Sequence, residues 1–143
     1  GSGYLSVSSP DPWEWGRWTH LALSYDGETL RLFRDGHLSA QAAGKGTISQ
    51  NRHPFFVGAD PNRDGKPGSF FRGAVDDLRL SRVARYTEAF VPVDAHEADD
   101  DTLLLLRFDT ALRGVFPDSS GRANHGAAAG PGRARIDRER SWN

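Results

Sequence analysis

The sequence contains no cysteine and no methionine among its 143 residues. The absence of cysteine excludes disulfides and thiolate metal sites, but it leaves the redox compartment open. No apolar run approaches the ~20 residues that a membrane-spanning helix needs, so we expect no membrane insertion. The formal net charge of -1 gives no electrostatic reason to expect nucleic acid as a partner.

The missing methionine and the N-terminal residues indicate that the chain is a segment. Residues 1–3 read Gly-Ser-Gly, which resembles a tag remnant and is left out of fold reasoning. Lys45 and Lys66 are the only lysines among 18 basic residues, and this arginine bias favours a GC-rich bacterial source. We therefore expect residues 4–143 to form one domain of a larger bacterial protein.

Short apolar runs that end in Asp-Gly or Gly predict antiparallel strands joined by tight turns. The strongest pattern is a three-stranded meander with Asp-Gly turns at 26–27 and 35–36. Its strands are expected at 18–25, 29–34 and 37–42, and others at 54–59 and, centrally, 102–108. Residues 69–81 are expected to form either a strand pair or one long strand broken near Gly73. One short helical turn is predicted over 83–90, but no longer segment has helical periodicity. The sequence therefore predicts an all-β fold, an antiparallel β-sandwich or jelly roll.

Three stretches carry a resemblance to a known family. Residues 18–22 read Trp-Thr-His-Leu-Ala, residues 30–36 read Leu-Arg-Leu-Phe-Arg-Asp-Gly, and residues 71–79 read Phe-Arg-Gly-Ala-Val-Asp-Asp-Leu-Arg. Together they resemble strands of the laminin-G-like (concanavalin A-like lectin/glucanase) jelly roll in its bacterial form. The resemblance implies a fold that serves chiefly as a binding scaffold.

The family's motifs occur in a changed order. Residues 4–92 resemble the family's late strands, whereas residues 102–126 resemble its opening strand and its Asp-Ser-Ser-Gly loop. Either the domain is permuted and reduced, or the end of one domain is joined to the start of the next. A half-sandwich would expose sheet edges and one apolar face. A neighbouring domain or a second copy of the chain would then have to cover them.

The resemblance also implies a structural Ca²⁺ near the Asp-Ser-Ser-Gly loop. Calcium takes several oxygen ligands; Asp118 and Asn124 would supply two, and Asp76 a third from the late strand. The alternative is an Asx-turn at Asp118 and a solvent-facing Asp76. Residues 60–65 (Asp-Pro-Asn-Arg-Asp-Gly) are similar to the start of a calcium loop. The twelfth position is Phe71 instead of Glu, however, which favours a polar hairpin loop.

Trp13, Trp15 and Trp18 lie within six residues of one another. Exposed aromatic faces pack on sugar rings, so Trp13 and Trp15 are candidate carbohydrate-binding residues. The alternative is that Trp18 lies in the core strand and the other two rings cap one end of the sandwich.

Catalytic patterns are poorly represented. The five histidines lack metal spacing, and there is no Gly-x-Ser-x-Gly elbow or phosphate-binding loop. Residues 99–101 are consecutive aspartates whose side chains would alternate between faces of a strand. Glu14 has no carboxylate two residues away, so a paired-carboxylate glycosidase is poorly supported.

These patterns predict a non-catalytic binding or adhesion module of an extracellular or cell-envelope protein. Its ligand would be a glycan or an extracellular protein, an expectation that follows from the fold resemblance. The alternative is a structural or assembly domain that completes a neighbouring domain or associates with itself.

Overall fold

A computed structural model describes residues 4–49 and 52–129 of the chain. The tag remnant predicted at residues 1–3 lies outside these residues. The described residues contain nine β-strands and no helix, which confirms the predicted all-β fold. In this part of the chain, accordingly, no helix has the length and apolar character needed to cross a membrane.

The described residues divide into two compact units. The first contains residues 4–48 and 81–94, and the second contains residue 49, residues 52–80 and residues 95–129. The single domain expected over 4–143, with late strands at 4–92 and an opening segment at 102–126, remains a prediction.

A three-stranded antiparallel meander forms the sheet of the first unit. Its strands, in spatial order, are β1 (Leu21–Tyr25), β2 (Thr29–Arg34) and β3 (His37–Ala43). In the β1–β2 turn, the Asp26 carboxylate accepts hydrogen bonds from the backbone amides of Glu28 at 2.9 Å and Thr29 at 2.8 Å. In the β2–β3 turn, Asp35 (φ 50°) and Gly36 (φ 80°) both lie in the left-handed region, as a two-residue hairpin of type I′ requires. Both predicted Asp-Gly hairpins are therefore confirmed.

An aromatic cluster covers one face of this meander. Phe33 is completely buried and packs edge-to-face against Tyr86 at 6.4 Å and Phe90 at 5.5 Å between ring centroids. Tyr86 and Phe90 stack on each other at 3.6 Å. The short helical turn predicted over 83–90 is wrong. The Phe90 amide donates instead to the Gly36 carbonyl at 2.9 Å, and this long-range bond replaces the local bond that a helix would make.

The opposite face of the meander is apolar and exposed. Leu21 and Leu23 on β1 are 53% and 66% exposed, whereas Ser24, which lies on the other face of the strand, is buried. Leu32 lies opposite Leu23 on β2, and Ala40 lies opposite Leu32 on β3. We call the surface formed by Leu21, Leu23, Leu32 and Ala40 the outer face. Leu21 and Leu23 are exposed in this face, whereas Leu32 and Ala40 are half-buried.

The second unit contains shorter pairs of strands. These are β4 (Asp60–Pro61) with β5 (Pro67–Gly68), β6 (Leu78–Ser81, whose last residue belongs to the first unit) with β7 (Thr102–Leu106), and β8 (Val115–Phe116) with β9 (Gly126–Ala127). The strand predicted at 54–59 is absent, and only the end of the one predicted at 69–81 is present. Positive φ angles at Gly58 (74°), Ser69 (45°) and Asp77 (47°) interrupt the extended backbone there.

Strand β7 carries the core of the second unit. Thr102, Leu104, Leu105 and Leu106 are buried, so the predicted apolar strand is confirmed. It ends at Leu106, before Phe108 with its φ of 57°, and not at 108. Among the described strands, β7 pairs with β6, and one further bridge joins Leu106 to Asp118; the predicted central position in a sheet is not seen in this part of the chain.

Candidate functional site

Two of the three clustered tryptophans are surface residues. Trp13 is 40% exposed and Trp15 is 78% exposed, and their rings meet edge-to-face at 6.5 Å. Trp18, which precedes β1, is half-buried. The loop before β1 therefore presents two adjacent aromatic faces to solvent.

A groove of about 380 Å³ lies beside this loop in the first unit. Glu14, which stands between the two exposed tryptophans, is one of its lining residues. The complete lining is Asp11, Pro12, Glu14, Arg17, Arg34, Asp35, His37, Leu38 and Ser39. The tryptophan loop supplies one side of the groove, and the β2–β3 hairpin supplies the other.

A chain of charged groups fastens the tryptophan loop to the hairpin. Arg17 donates to Glu14 at 2.5 Å and to Asp35 at 2.8 Å. Asp35 is held in turn by the His20 backbone amide, which donates to its other carboxylate oxygen at 2.9 Å. Exposed ion pairs of this kind stabilise little individually, but linked together they place the loop against the turn.

Arg34 contacts the Trp13 ring and the loop that carries it. Its side chain is only 11% exposed, and its guanidinium lies 5.6 Å from the Trp13 ring centroid, within the range of a cation–π contact. It also donates to the Pro12 carbonyl at 2.9 Å and lies 3.9 Å from Glu14. These contacts orient Trp13 and leave Trp15 as the more open ring.

The same contacts shift the pKa values of Asp35 and Arg17 in the groove. Burial raises the pKa of Asp35, but the amide of His20 and the guanidinium of Arg17 outweigh it and hold the pKa below its ordinary value. The carboxylates of Asp35 and Glu14 raise the pKa of Arg17. Both members of the Arg17–Asp35 pair are therefore charged at neutral pH.

Sequence reasoning singled out Trp13 and Trp15 but missed the charged residues beside them. Arg17 and Asp35 are 18 positions apart, and Asp35 stood out only as a turn residue. The nearest local signal was Arg17 placed three residues after Glu14. That spacing alone does not indicate which hairpin the arginine meets.

Asp118, the main predicted calcium ligand, lies in a dense set of hydrogen bonds in the second unit. One carboxylate oxygen accepts from the amides of Leu105 at 2.9 Å and Ser120 at 2.8 Å. The other accepts from the Ser120 hydroxyl at 2.7 Å and the Asn124 amide at 2.9 Å. Burial raises the pKa of Asp118, but these hydrogen bonds together lower it to about 2.

The Asp118 carboxylate does not fit the role of a calcium ligand in this arrangement. An ionised carboxylate offers about four acceptor positions, and four donors of this chain already occupy them. Asn124 is exposed and its side-chain nitrogen donates to the Leu103 carbonyl at 2.9 Å, while Asp76 is half-buried. No group of three His, Cys, Asp or Glu side chains suited to a metal is found within residues 4–49 and 52–129. The calcium prediction stays a prediction.

Residues 60–65 form the polar hairpin loop that their sequence favoured. β4 and β5 pair across it. The side-chain oxygen of Asn62 accepts hydrogen bonds from the backbone amides of Asp64 at 3.0 Å and Lys66 at 2.9 Å. The oxygen that a calcium loop would offer to the ion is used by the backbone.

Comparison with known proteins gives a match to a family model. Residues 1–89 match the family model described as the concanavalin A-like lectin/glucanases superfamily, of laminin G type. No curated protein and no solved structure matches the chain. The matched residues include the whole β1–β3 meander and the tryptophan loop; the resemblance of residues 102–126 to an opening strand and loop remains a prediction.

Proposed function

Because this chain belongs to the concanavalin A-like lectin/glucanases superfamily, with its all-β sandwich fold, we propose that it is a non-catalytic module that binds a glycan. The binding surface consists of Trp13, Trp15 and the groove beside them. The parent protein is, on this proposal, a bacterial extracellular or envelope protein that uses the module for adhesion.

The observation that carries the proposal is the exposure of two aromatic rings beside a polar groove. A large aromatic surface left in water costs free energy, and Trp15 is 78% exposed. Sugar rings have apolar C–H faces that pack on aromatic rings, and their hydroxyls pair with polar groups such as those of Glu14 and Asp35. An aromatic platform next to charged hydrogen-bonding groups suits a carbohydrate better than an apolar ligand.

The absence of catalysis is part of the proposal. Glu14 and Asp35, two of the groove carboxylates, are each ion-paired with Arg17. A glycosidase needs one carboxyl group that is protonated and free to act as an acid. Burial raises the pKa of Asp35, but the His20 amide and Arg17 hold it below its ordinary value, so this carboxyl group suits binding but not acid catalysis.

The experiment is a binding screen against bacterial and plant polysaccharides by isothermal titration calorimetry, in Ca²⁺ and again in EDTA. We expect saturable binding that falls about tenfold in Trp15→Ala, since stacking on one aromatic ring contributes up to about 1.5 kcal/mol. Tyr4→Ala is the matched control because Tyr4 is a fully exposed aromatic residue outside the groove lining. Failure of every polysaccharide to bind, or equal losses in the two variants, would remove the proposal. Loss of binding in EDTA alone would show that binding depends on a divalent cation.

A second candidate function rests on the outer face. Leu21 and Leu23 are exposed side by side on β1, an edge strand with no charged residue in its sequence Leu-Ala-Leu-Ser-Tyr. Unprotected apolar edges pair readily with another sheet. This observation favours an assembly role, in which the outer face packs on a neighbouring domain or a second copy.

Sedimentation velocity over a range of protein concentrations separates the two functions. An assembly role through a second copy predicts a dimer that dissociates in Leu23→Asp, because a carboxylate in a buried apolar contact is strongly unfavourable. Glu28→Asp on the exposed β1–β2 turn serves as the control. A monomer at all concentrations would exclude self-association and leave the neighbouring domain as the partner in the assembly function.

A further inference from the structure

The charged side chains that line the groove differ in whether they have a partner of opposite charge. Arg17 is held by Glu14 and Asp35, and Arg34 by Glu14, the Pro12 carbonyl and the Trp13 ring. Both guanidiniums of the groove therefore already have their counter-charges. Within residues 4–49 and 52–129, the Arg34 Nη2 atom makes no hydrogen bond, but it is buried and so is not presented to an anion that enters from solvent.

One carboxylate of the groove is different. Asp11 donates its backbone amide to the Ser9 hydroxyl at 3.2 Å, but its side chain forms no ion pair or hydrogen bond with any of the residues that the structure describes. It is exposed and faces the same groove as His37, which is also exposed. Besides His37, the lining holds three carboxylates and two guanidiniums, and the carboxylate without a cationic partner is that of Asp11.

We infer that the groove accepts uncharged glycans and discriminates against glycans that carry uronate, sulfate or phosphate groups. This inference rests on the proposed glycan-binding function and names the ligand class. Sugar hydroxyls donate hydrogen bonds to the Asp11 carboxylate, and adjacent sugar rings pack on Trp13 and Trp15. An acidic group at the same place meets Asp11 with no free cation to offset the repulsion, and like-charge contacts are an effective means of rejecting a wrong ligand.

The test is calorimetric titration with matched pairs of oligosaccharides of equal length. Neutral glucan, mannan, xylan and galactan oligosaccharides are each compared with a counterpart that carries uronate or sulfate groups. We expect the neutral member to bind and its acidic counterpart to bind about tenfold more weakly, a difference that narrows at high salt because exposed charges are screened. Binding of the neutral member should change little with salt.

Two variants connect the selectivity to the groove. Asp11→Asn removes the uncompensated carboxylate at constant shape, and Glu14→Gln releases part of the charge of Arg17 and Arg34. Each should reduce the ratio of neutral to acidic affinity by several-fold, and this ratio is the readout because either variant also removes an acceptor for sugar hydroxyls. Tryptophan fluorescence and circular dichroism check that the variants fold.

The outcomes distinguish this inference from the function on which it rests. Acidic oligosaccharides that bind as tightly as neutral ones, or more tightly, overturn the inference while leaving glycan binding in place. Unchanged selectivity in both variants also overturns it, since the discrimination would then arise elsewhere. If no oligosaccharide of either kind binds, the proposed function fails and the inference fails with it.

Discussion

The Gly36→Ala substitution tests how the groove is held together. Gly36 has a φ of 80° and ends the β2–β3 turn. A Cβ placed there would overlap the carbonyl oxygen of Phe90 and lie 3.0 Å from its carbonyl carbon. The backbone of Phe90 would have to withdraw by about 1.5 Å to restore ordinary van der Waals contact, and the hydrogen bond from the Phe90 amide to the Gly36 carbonyl would be lost.

The chain contains a matched control at Gly27. Gly27 also follows an aspartate in a hairpin loop, the three-residue connection between β1 and β2; its φ is 97°, but a Cβ there would meet nothing within 4 Å. Gly27→Ala therefore measures backbone strain alone, about 1–2 kcal/mol. Gly36→Ala adds a lost hydrogen bond, about 1 kcal/mol, and a disturbed contact between Phe90 and Phe33, also about 1 kcal/mol. We expect Gly36→Ala to destabilise the protein by about 2 kcal/mol more than Gly27→Ala.

Urea titration followed by tryptophan fluorescence measures both variants. Trp13, Trp15 and Trp18 all lie in the first unit, so their emission reports the unit that contains the turn. If the two variants have equal m-values, the difference between their urea midpoints reflects only a difference in the free energy of unfolding. If the two variants agree within about 0.5 kcal/mol, the packing of Phe90 against the turn contributes nothing, and the reasoning is refuted.

Three further predictions concern other parts of the molecule. The pKa of Asp118 is lowered from 3.8 to about 2 in the folded protein, so ionised Asp118 adds up to about 2 kcal/mol to the free energy of unfolding above pH 4, and this is lost as the pH falls towards 2. Asp118→Asn should abolish this part of the pH dependence in denaturant titrations followed by circular dichroism. An unchanged pH profile would contradict a stabilising role for the ionised carboxylate. Asn62→Ala should cost about 1 kcal/mol because two backbone amides lose their acceptor, whereas no change in thermal midpoint would show that the hairpin closes without it. Phe33→Ala should cost about 3–5 kcal/mol because Phe33 is fully buried, and a loss below about 1 kcal/mol would mean that the aromatic cluster is not the core of the first unit.

The features that could be predicted from the sequence depend on a few neighbouring residues. Both Asp-Gly hairpins were predicted because aspartate and glycine accept the positive φ angles that tight turns require. The buried strand predicted over 102–108, which the structure shows over Thr102–Leu106, could be predicted because an unbroken apolar run is usually buried. A polar hairpin loop at 60–65 was favoured over a calcium loop because the twelfth position holds Phe71 instead of the glutamate that binds the ion. Each of these depends on steric preferences or side-chain polarity within a single short segment.

Other expectations failed where distant residues decide the outcome. The helical turn expected at 83–90 is replaced by a bond from Phe90 to Gly36, more than fifty positions away. The strand expected at 54–59 is absent, because an extended segment needs a neighbouring strand and positive φ angles intervene. The candidate site shows the same division. Trp13 and Trp15 were recognisable as an aromatic pair in the chain, but their exposure was not.

The sequence by itself therefore determined the all-β character, the family and the two tight turns of the meander, since these follow from local backbone preferences and short motifs. Only the tertiary structure decided that Arg17 joins Glu14 to Asp35, that Asp118 uses its carboxylate on the protein's own amides, and that Asp11 is left uncompensated in the groove. The physical reason is that ion pairs, burial and hydrogen-bond saturation are properties of groups brought together in space. Sequence spacing does not specify which distant groups will meet.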